Sequence, residues 1–230
     1  MKNKKIFVAC DTSNCLRINK IIKQLNSSTL KIIPKFGLQL FYSKNGRKFL
    51  ENFKDDFWLD LKINDIPKTA LSAINSVKDL KKCKYITVHA NGGLEMLKAI
   101  KKESKKINKS MKILGVTVLT SLNNKSLREI GYSKNVNQVV LKQASLIKKS
   151  GCDGLVCSAQ EAKLIRKKYK NFLIFTPGIR LPNDKSNDQS RIMTPIDAFK
   201  NKVSGIVIGR SLTQGNIKKN IQRLTNHLNK

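Results

Sequence analysis

The sequence predicts one α/β domain, a single (β/α)8 TIM-type barrel over residues 1–230, and three observations predict it. Short β-branched runs alternate with amphipathic helical stretches along the whole chain. Eight such pairs can be laid end to end with no linker, repeat or low-complexity segment between them. The length of 230 residues is long for one ordinary domain and short for two, yet suits eight strand–helix units. Apolar strands each followed by a helix imply parallel strands covered on the outside, and eight of them close most naturally into a barrel. An open doubly wound sheet is the alternative, but no G-x-G-x-x-G follows the first strand.

Taken in order, the strand at 6–11 reads Ile-Phe-Val-Ala-Cys-Asp, and a helix is expected over 14–26. There Leu16, Ile18, Ile21, Ile22 and Leu25 recur at helical spacing. Strand 30–37 precedes a helical stretch at 38–53, strand 57–63 one at 67–81, and strand 85–90 one at 93–107. Strand 112–120 leads to a helix at 137–150, strand 154–159 to 160–169, strand 173–178 to 194–201, and strand 205–210 to 211–228. The one conspicuous loop runs from Arg180 to Met193 and is rich in Pro, Asn, Asp and Ser, as lids and binding loops often are.

Composition narrows the class. A net charge of +31 raises the question of nucleic acid. However, 38 Lys stand against 8 Arg, and the 6% aromatic residues are scattered. Base readout favours Arg, and single-strand binding favours aromatics interleaved with basic residues, so no specific nucleic acid is expected. The run Lys101-Lys102-Glu103-Ser104-Lys105-Lys106 has the spacing of a solvated helix face, and an Asn-rich, Ala-poor composition fits drift toward AT-rich codons. A positive surface would still hasten the arrival of an anionic substrate, an effect that salt weakens. Five cysteines, odd in number and without C-x-x-C, argue for a reducing compartment and against disulfides or structural zinc. With two histidines, no metal centre is expected. No apolar run nears the roughly 18 residues of a membrane span. The apolar stretch that ends at Asp11 is too short for a signal peptide, so a cytoplasmic protein is expected.

Catalytic groups of such a barrel gather where the strands end. Those ends carry Asp11, Lys35, Asp60-x-Lys62-x-x-Asp65, His89-Ala90-Asn91-Gly92-Gly93, Thr120-Ser121, Ser158, Pro177-Gly178-Ile179-Arg180 and Gly209-Arg210. Asp60 and Lys62 lie two apart on a strand and so face one side, into the barrel mouth, where Lys35 of the neighbouring strand can join them. Buried charges persist when paired, and alternating Lys and Asp meet that requirement. On spacing alone, a salt-bridge network that merely seals the barrel end is the alternative reading. Gly209-Arg210 precedes the last helix, whose N-terminal N–H groups would favour an anion, with Arg210 adding a guanidinium fork. His89 is expected to hydrogen-bond locally and Gly92-Gly93 to turn the chain into the next helix.

The segment Asp60-Leu61-Lys62-Ile63-Asn64-Asp65-Ile66-Pro67-Lys68-Thr69 resembles the D-x-K-x-x-D-I-P-x-T signature of the orotidine 5′-phosphate decarboxylase family. The resemblance continues through Lys35-Phe36-Gly37, Val88-His89-Ala90, Val118-Leu119-Thr120-Ser121 and Asp153-Gly154-Leu155-Val156-Cys157-Ser158. It ends with Thr176-Pro177-Gly178-Ile179-Arg180, Asp188-Gln189-Ser190-Arg191 and Val207-Ile208-Gly209-Arg210, in the family's order from Asp11 to Arg210. Asn64 and Lys68 depart from it, where His and Asn are common.

The resemblance implies decarboxylation of orotidine 5′-phosphate to UMP without metal or organic cofactor, in pyrimidine biosynthesis. It implies that Lys62 protonates the ring at C6 and that Asp60 stands against the substrate carboxylate. Lys35 would hold Asp60 and reach the ribose, and Asp11 would bind the sugar. Thr120 and Ser121 would touch the base, while Arg180, Gln189, Gly209 and Arg210 would hold the phosphate. Asp65 and Thr69 would complete the site of an adjacent subunit, making a homodimer. Two rivals remain. A metal-dependent sugar-phosphate lyase on the same barrel usually carries Glu near the end of strand two, where this chain reads Lys35-Phe36-Gly37-Leu38-Gln39. A nucleic-acid-binding protein with an inert barrel would show affinity with a steep salt dependence and no turnover.

Overall fold

The structure is a computed structural model that describes residues 5–26, 28–184 and 192–229. Eight parallel strands close into a barrel in sequence order, with the first also pairing with the last. They are β1 (Lys5–Ala9), β2 (Ile32–Gly37), β3 (Phe57–Ile63), β4 (Cys83–His89), β5 (Lys112–Val116), β6 (Gly154–Val156), β7 (Leu173–Ile179) and β8 (Gly205–Ile208). The helices are α1 (Cys15–Asn26), α2 (Leu38–Phe41), α3 (Gly46–Asn52), α4 (Pro67–Asn75), α5 (Gly93–Ile107), α6 (Asn124–Glu129), α7 (Val136–Lys149), α8 (Ala159–Lys168), α9 (Pro195–Lys200), α10 (Arg210–Thr213) and α11 (Ile217–Leu228). Among the described residues no helix is long and apolar enough to cross a membrane.

Strand alternation divides the core in two. Ile6, Val8, Phe57, Leu59, Ile86 and Val88 point outward and pack in one large cluster with the helix faces, including Ile18, Ile21 and Leu25 of α1. Phe7, Trp58, Tyr85, Leu114, Val116, Phe175 and Val207 fill the barrel itself. The Phe7 ring meets Trp58, Tyr85 and Phe175 edge-on at centroid separations of 4.9, 5.3 and 5.1 Å. Such pairs each add about 0.5–1.5 kcal/mol beyond burial, so the barrel is plugged by a stiff aromatic layer.

The helical stretch expected at 38–53 breaks into α2 and α3. A Cβ at Gly46 would lie 1.6 Å from the Leu40 carbonyl oxygen, so only glycine lets the chain double back there. Likewise 211–228 splits into α10 and α11 at Gln214-Gly215-Asn216, where Gly215 has φ +67°. The helix of 67–81 ends at Asn75, and the strand of 112–120 ends at Val116. Helix α6 was not expected; it is too short to show a period and is started by Asn123, whose side chain accepts from the N–H groups of Lys125 and Ser126.

At the other end of the barrel from the β7 tip, Arg166 of α8 stitches the chain leading into β7 and β8. Its guanidinium donates to the carbonyls of Tyr169, Lys170, Phe172 and Lys202 and to Ser204 Oγ. Asp153, just before β6, takes Lys101, Lys112 and the Ile113 N–H.

Candidate active site

A cavity of about 300 Å³ opens among the C-terminal ends of the strands and is floored by Trp58, Val116, Val156 and Val207. Asp11, Lys35, Asp60 and Lys62 line one side of it, Thr120 and Ser121 another, and Arg180, Gly209 and Arg210 a third. These are nine of the twelve residues expected from the sequence.

The ionic side is built around Asp60. Its Oδ2 accepts from Lys35 Nζ at 2.8 Å and lies 3.0 Å from Lys62 Nζ. Lys35 also stands 3.7 Å from Asp11 Oδ1. Asp60 Oδ1 accepts from Thr87 Oγ1 at 2.8 Å, so both carboxylate oxygens are engaged. Burial pushes the Asp60 carboxyl up, but the charge of Lys35 and then of Lys62 outweighs it and holds the group well below the carboxylate range. Burial likewise pushes Lys35 down, while Asp60 and then Asp11 raise it above the ordinary lysine value. Both groups are therefore fixed in their charged forms, a preset array rather than one that must reorganise around a ligand.

Alternation leads Asp60 and Lys62 inward, and Leu61 and Ile63 pack outward with the helices. The backbone between them is nevertheless irregular. Leu59 pairs with Ile86 and Ile63 with Val88, so the three residues Asp60, Leu61 and Lys62 stand opposite Thr87 alone. Lys62 takes φ +51°, in the left-handed region that side-chain-bearing residues avoid, and its N–H donates to Thr87 Oγ1 at 2.9 Å. Thr87 is fully buried. Sequence reading missed it because a β-branched residue inside Tyr85-Ile86-Thr87-Val88-His89 reads as an ordinary strand former.

Asp65 and Thr69 are not brought to this chain's own cavity. Both are exposed. Asp65 Oδ1 accepts from the Ile66 N–H at 2.7 Å, and among the described residues Asp65 makes no ion pair with Lys62. Ile66 beside it is 65% exposed. Thr120 and Ser121 lie in the loop after β5 rather than on the strand. His89 accepts from the Asn91 N–H at 3.2 Å and so caps a turn at Ala90–Gly92, while Gly93 takes φ +80° to open α5. Burial, then the charge of Lys62, lowers the His89 pKa and favours neutral imidazole.

At the third side, Arg180 is buried and close enough to Arg210 for that charge, after burial, to lower its pKa. Two neighbouring guanidinium groups repel, and an anion between them relieves both. The helix-terminus argument is corrected: β8 runs into the four-residue α10, while the last helix starts at Ile217. The loop from Arg180 is closed at its base, where Arg180 N–H donates to the Met193 carbonyl and Met193 N–H to that of Gly178. Gln189 lies outside the described residues.

A sequence profile of the orotidine 5′-phosphate decarboxylase / HUMPS family matches residues 4–222. Curated proteins named orotidine 5′-phosphate decarboxylase align with the chain, one from Idiomarina loihiensis at 37% identity over 91% of both chains. Another, from Buchnera aphidicola, is 38% identical over 91% of this chain and 89% of its own. The crystal structure of orotidine 5′-phosphate decarboxylase from Lactobacillus acidophilus superposes with a TM-score of 0.82 at 30% identity, covering 99% of this chain and all of that one.

Proposed function

This chain belongs to the orotidine 5′-phosphate decarboxylase / HUMPS family, and from that premise we propose that it decarboxylates orotidine 5′-phosphate to UMP in pyrimidine biosynthesis. The observation that carries the reading is the cavity's polarity: a carboxylate gripped by two ammonium groups on one side, two guanidinium groups on another. A nucleotide bearing an acidic ring and a phosphate matches that layout.

The chemistry follows from charge. The ring carboxylate is set against Asp60, which cannot take up a proton because Lys35 and Lys62 hold it ionised. The C6–carboxylate bond breaks, CO2 leaves, and the electron pair stays on C6. Negative charge thus moves away from Asp60 toward Lys62, which stabilises it and transfers its Nζ proton to C6. Solvent returns the proton to Lys62. Interactions that improve only as charge moves lower the barrier itself, and enzymes lower barriers by about 8–23 kcal/mol. Asp11 and Lys35 bind the ribose and Thr120 and Ser121 the base. Arg180, Gln189, Gly209 and Arg210 bind the phosphate, so that binding energy far from the ring assembles the site.

In this reading the chain works as a homodimer. Asp65 and Thr69, exposed at the start of α4 next to the exposed Ile66, reach the partner's cavity, where Asp65 keeps the partner's Lys62 charged and aimed. The metal-dependent rival usually carries a carboxylate near the end of β2; here Lys35 puts an ammonium there, 2.8 Å from Asp60.

The deciding experiment follows the absorbance of orotidine 5′-phosphate with wild type and Lys62→Ala. Turnover is expected in the first and a loss of at least ~10³-fold in the second, with the fold intact by circular dichroism. Substantial turnover by Lys62→Ala would overturn the role of Lys62, and loss of wild-type turnover after EDTA would favour the metal-dependent rival.

A further inference from the structure

We propose that Thr87 is a positioning residue for the reaction, one hydroxyl that fixes both the Asp60 carboxylate and the kinked backbone that aims Lys62; the role in catalysis rests on the activity proposed above. The hydroxyl uses both of its capacities. It donates to Asp60 Oδ1 at 2.8 Å and accepts from the Lys62 N–H at 2.9 Å. The second contact replaces a ladder bond on one edge: with Leu59 on Ile86 and Ile63 on Val88, the pairing with β4 skips Asp60, Leu61 and Lys62, while Asp60 keeps its register with Gly37 of β2. A residue without glycine's freedom holds φ +51° there only because its surroundings over-determine it. Thr87 supplies a partner to its N–H at that point.

The first contact settles which way the carboxylate faces. With Oδ1 on Thr87, Oδ2 is left to Lys35 at 2.8 Å and Lys62 at 3.0 Å. Rotation of the carboxylate would break a contact on each side. Thr87 is fully buried and does not itself line the cavity, so it acts through the two lining residues it bonds, Asp60 and Lys62. Loss of the hydroxyl thus disturbs the geometry of the chemical step and leaves the phosphate-binding end untouched.

The test compares Thr87→Val, Thr87→Ala and Thr87→Ser. Val and Ala remove the hydroxyl with and without the branch, and Ser keeps it. For the first two, kcat is expected to fall about 10- to 100-fold, since misplacement of reacting groups by about 1 Å can cost 10²-fold. KM and the affinity for UMP stay within about threefold, and Ser restores most of kcat. Crystals of Thr87→Val are expected to show Lys62 Nζ withdrawn from Asp60, a readout that needs no turnover and so separates this inference from the assignment of substrate. Wild-type kcat in Thr87→Val, an unmoved Lys62 in its crystals, a kcat in Thr87→Ser as low as in Val, or unfolding of both Val and Ala variants would overturn the proposal.

Discussion

Lys35 Nζ stands 2.8 Å from Asp60 Oδ2, in a pair whose side chains are 9% and 11% exposed. Two charges so far out of water persist because they are paired, and removing Lys35 leaves the buried Asp60 carboxylate with Lys62 as its one remaining ammonium among the described residues. Lys35→Met is expected to destabilise the fold by about 3 kcal/mol, read as a lower midpoint in urea unfolding. The double variant Lys35→Met/Asp60→Leu recovers part of that loss, since no buried, half-compensated carboxylate is left. A single variant as stable as wild type would mean that water reaches the pair.

Stability should depend on pH in opposite senses for the two partners. The Asp60 carboxyl is held below its ordinary value, so its contribution is complete above about pH 4, the unfolded carboxylate pKa, and disappears as pH falls toward the folded one. Lys35 is held above its ordinary value, so its contribution is complete below about pH 10 and is lost as pH rises through the folded pKa. Urea midpoints between pH 5 and pH 2 are expected to fall less steeply for Asp60→Asn than for wild type; parallel slopes would contradict the Asp60 assignment.

The backbone at Lys62 makes a prediction of its own. Ala and Gly both delete the amine, but only Gly takes φ +51° without strain. Lys62→Gly is therefore expected to be about 1 kcal/mol more stable than Lys62→Ala, although glycine is usually the less stable choice within a strand. Equal unfolding midpoints would show that the strand relaxes.

Arg166 should matter to the fold and not to turnover. Its planar fork reaches four carbonyls and the Ser204 hydroxyl, a span that one ammonium cannot cover. Arg166→Lys is expected to cost about 2 kcal/mol of stability with kcat per folded molecule unchanged, checked by thermal unfolding beside the activity assay.

The proposed sharing of sites between two subunits is testable by mixing. Lys62→Ala and Asp65→Ala are each expected to be nearly inactive. A hybrid dimer carries one cavity with both intact residues, so co-refolded chains should recover up to about a quarter of wild-type activity. No recovery, with hybrid dimers present, would place Asp65 outside the partner's site.

What the sequence disclosed and what it hid divide along physical lines. Eight strands were legible because barrel strands are buried on both faces and read as apolar runs. Asp11, Lys35, Asp60, Lys62, Arg180 and Arg210 were legible because charges at the ends of such runs have few places to go. Helix breaks were not: the turn before Gly46 depends on a contact with the Leu40 carbonyl, which no local period reports. Thr87 was hidden for a related reason, since its partners, Asp60 and the Lys62 amide, lie 27 and 25 positions away in the chain.

The mismatch of three residues on β3 against one on β4 makes this charged cluster the joint property of two strands. Anyone transplanting it into a foreign scaffold would have to carry Leu59–Ile63 and Ile86–Val88 as one cassette. Set into an even ladder, the third strand would lose the Thr87 hydroxyl as the partner of its lysine N–H, and with it the support for the turned backbone at that lysine.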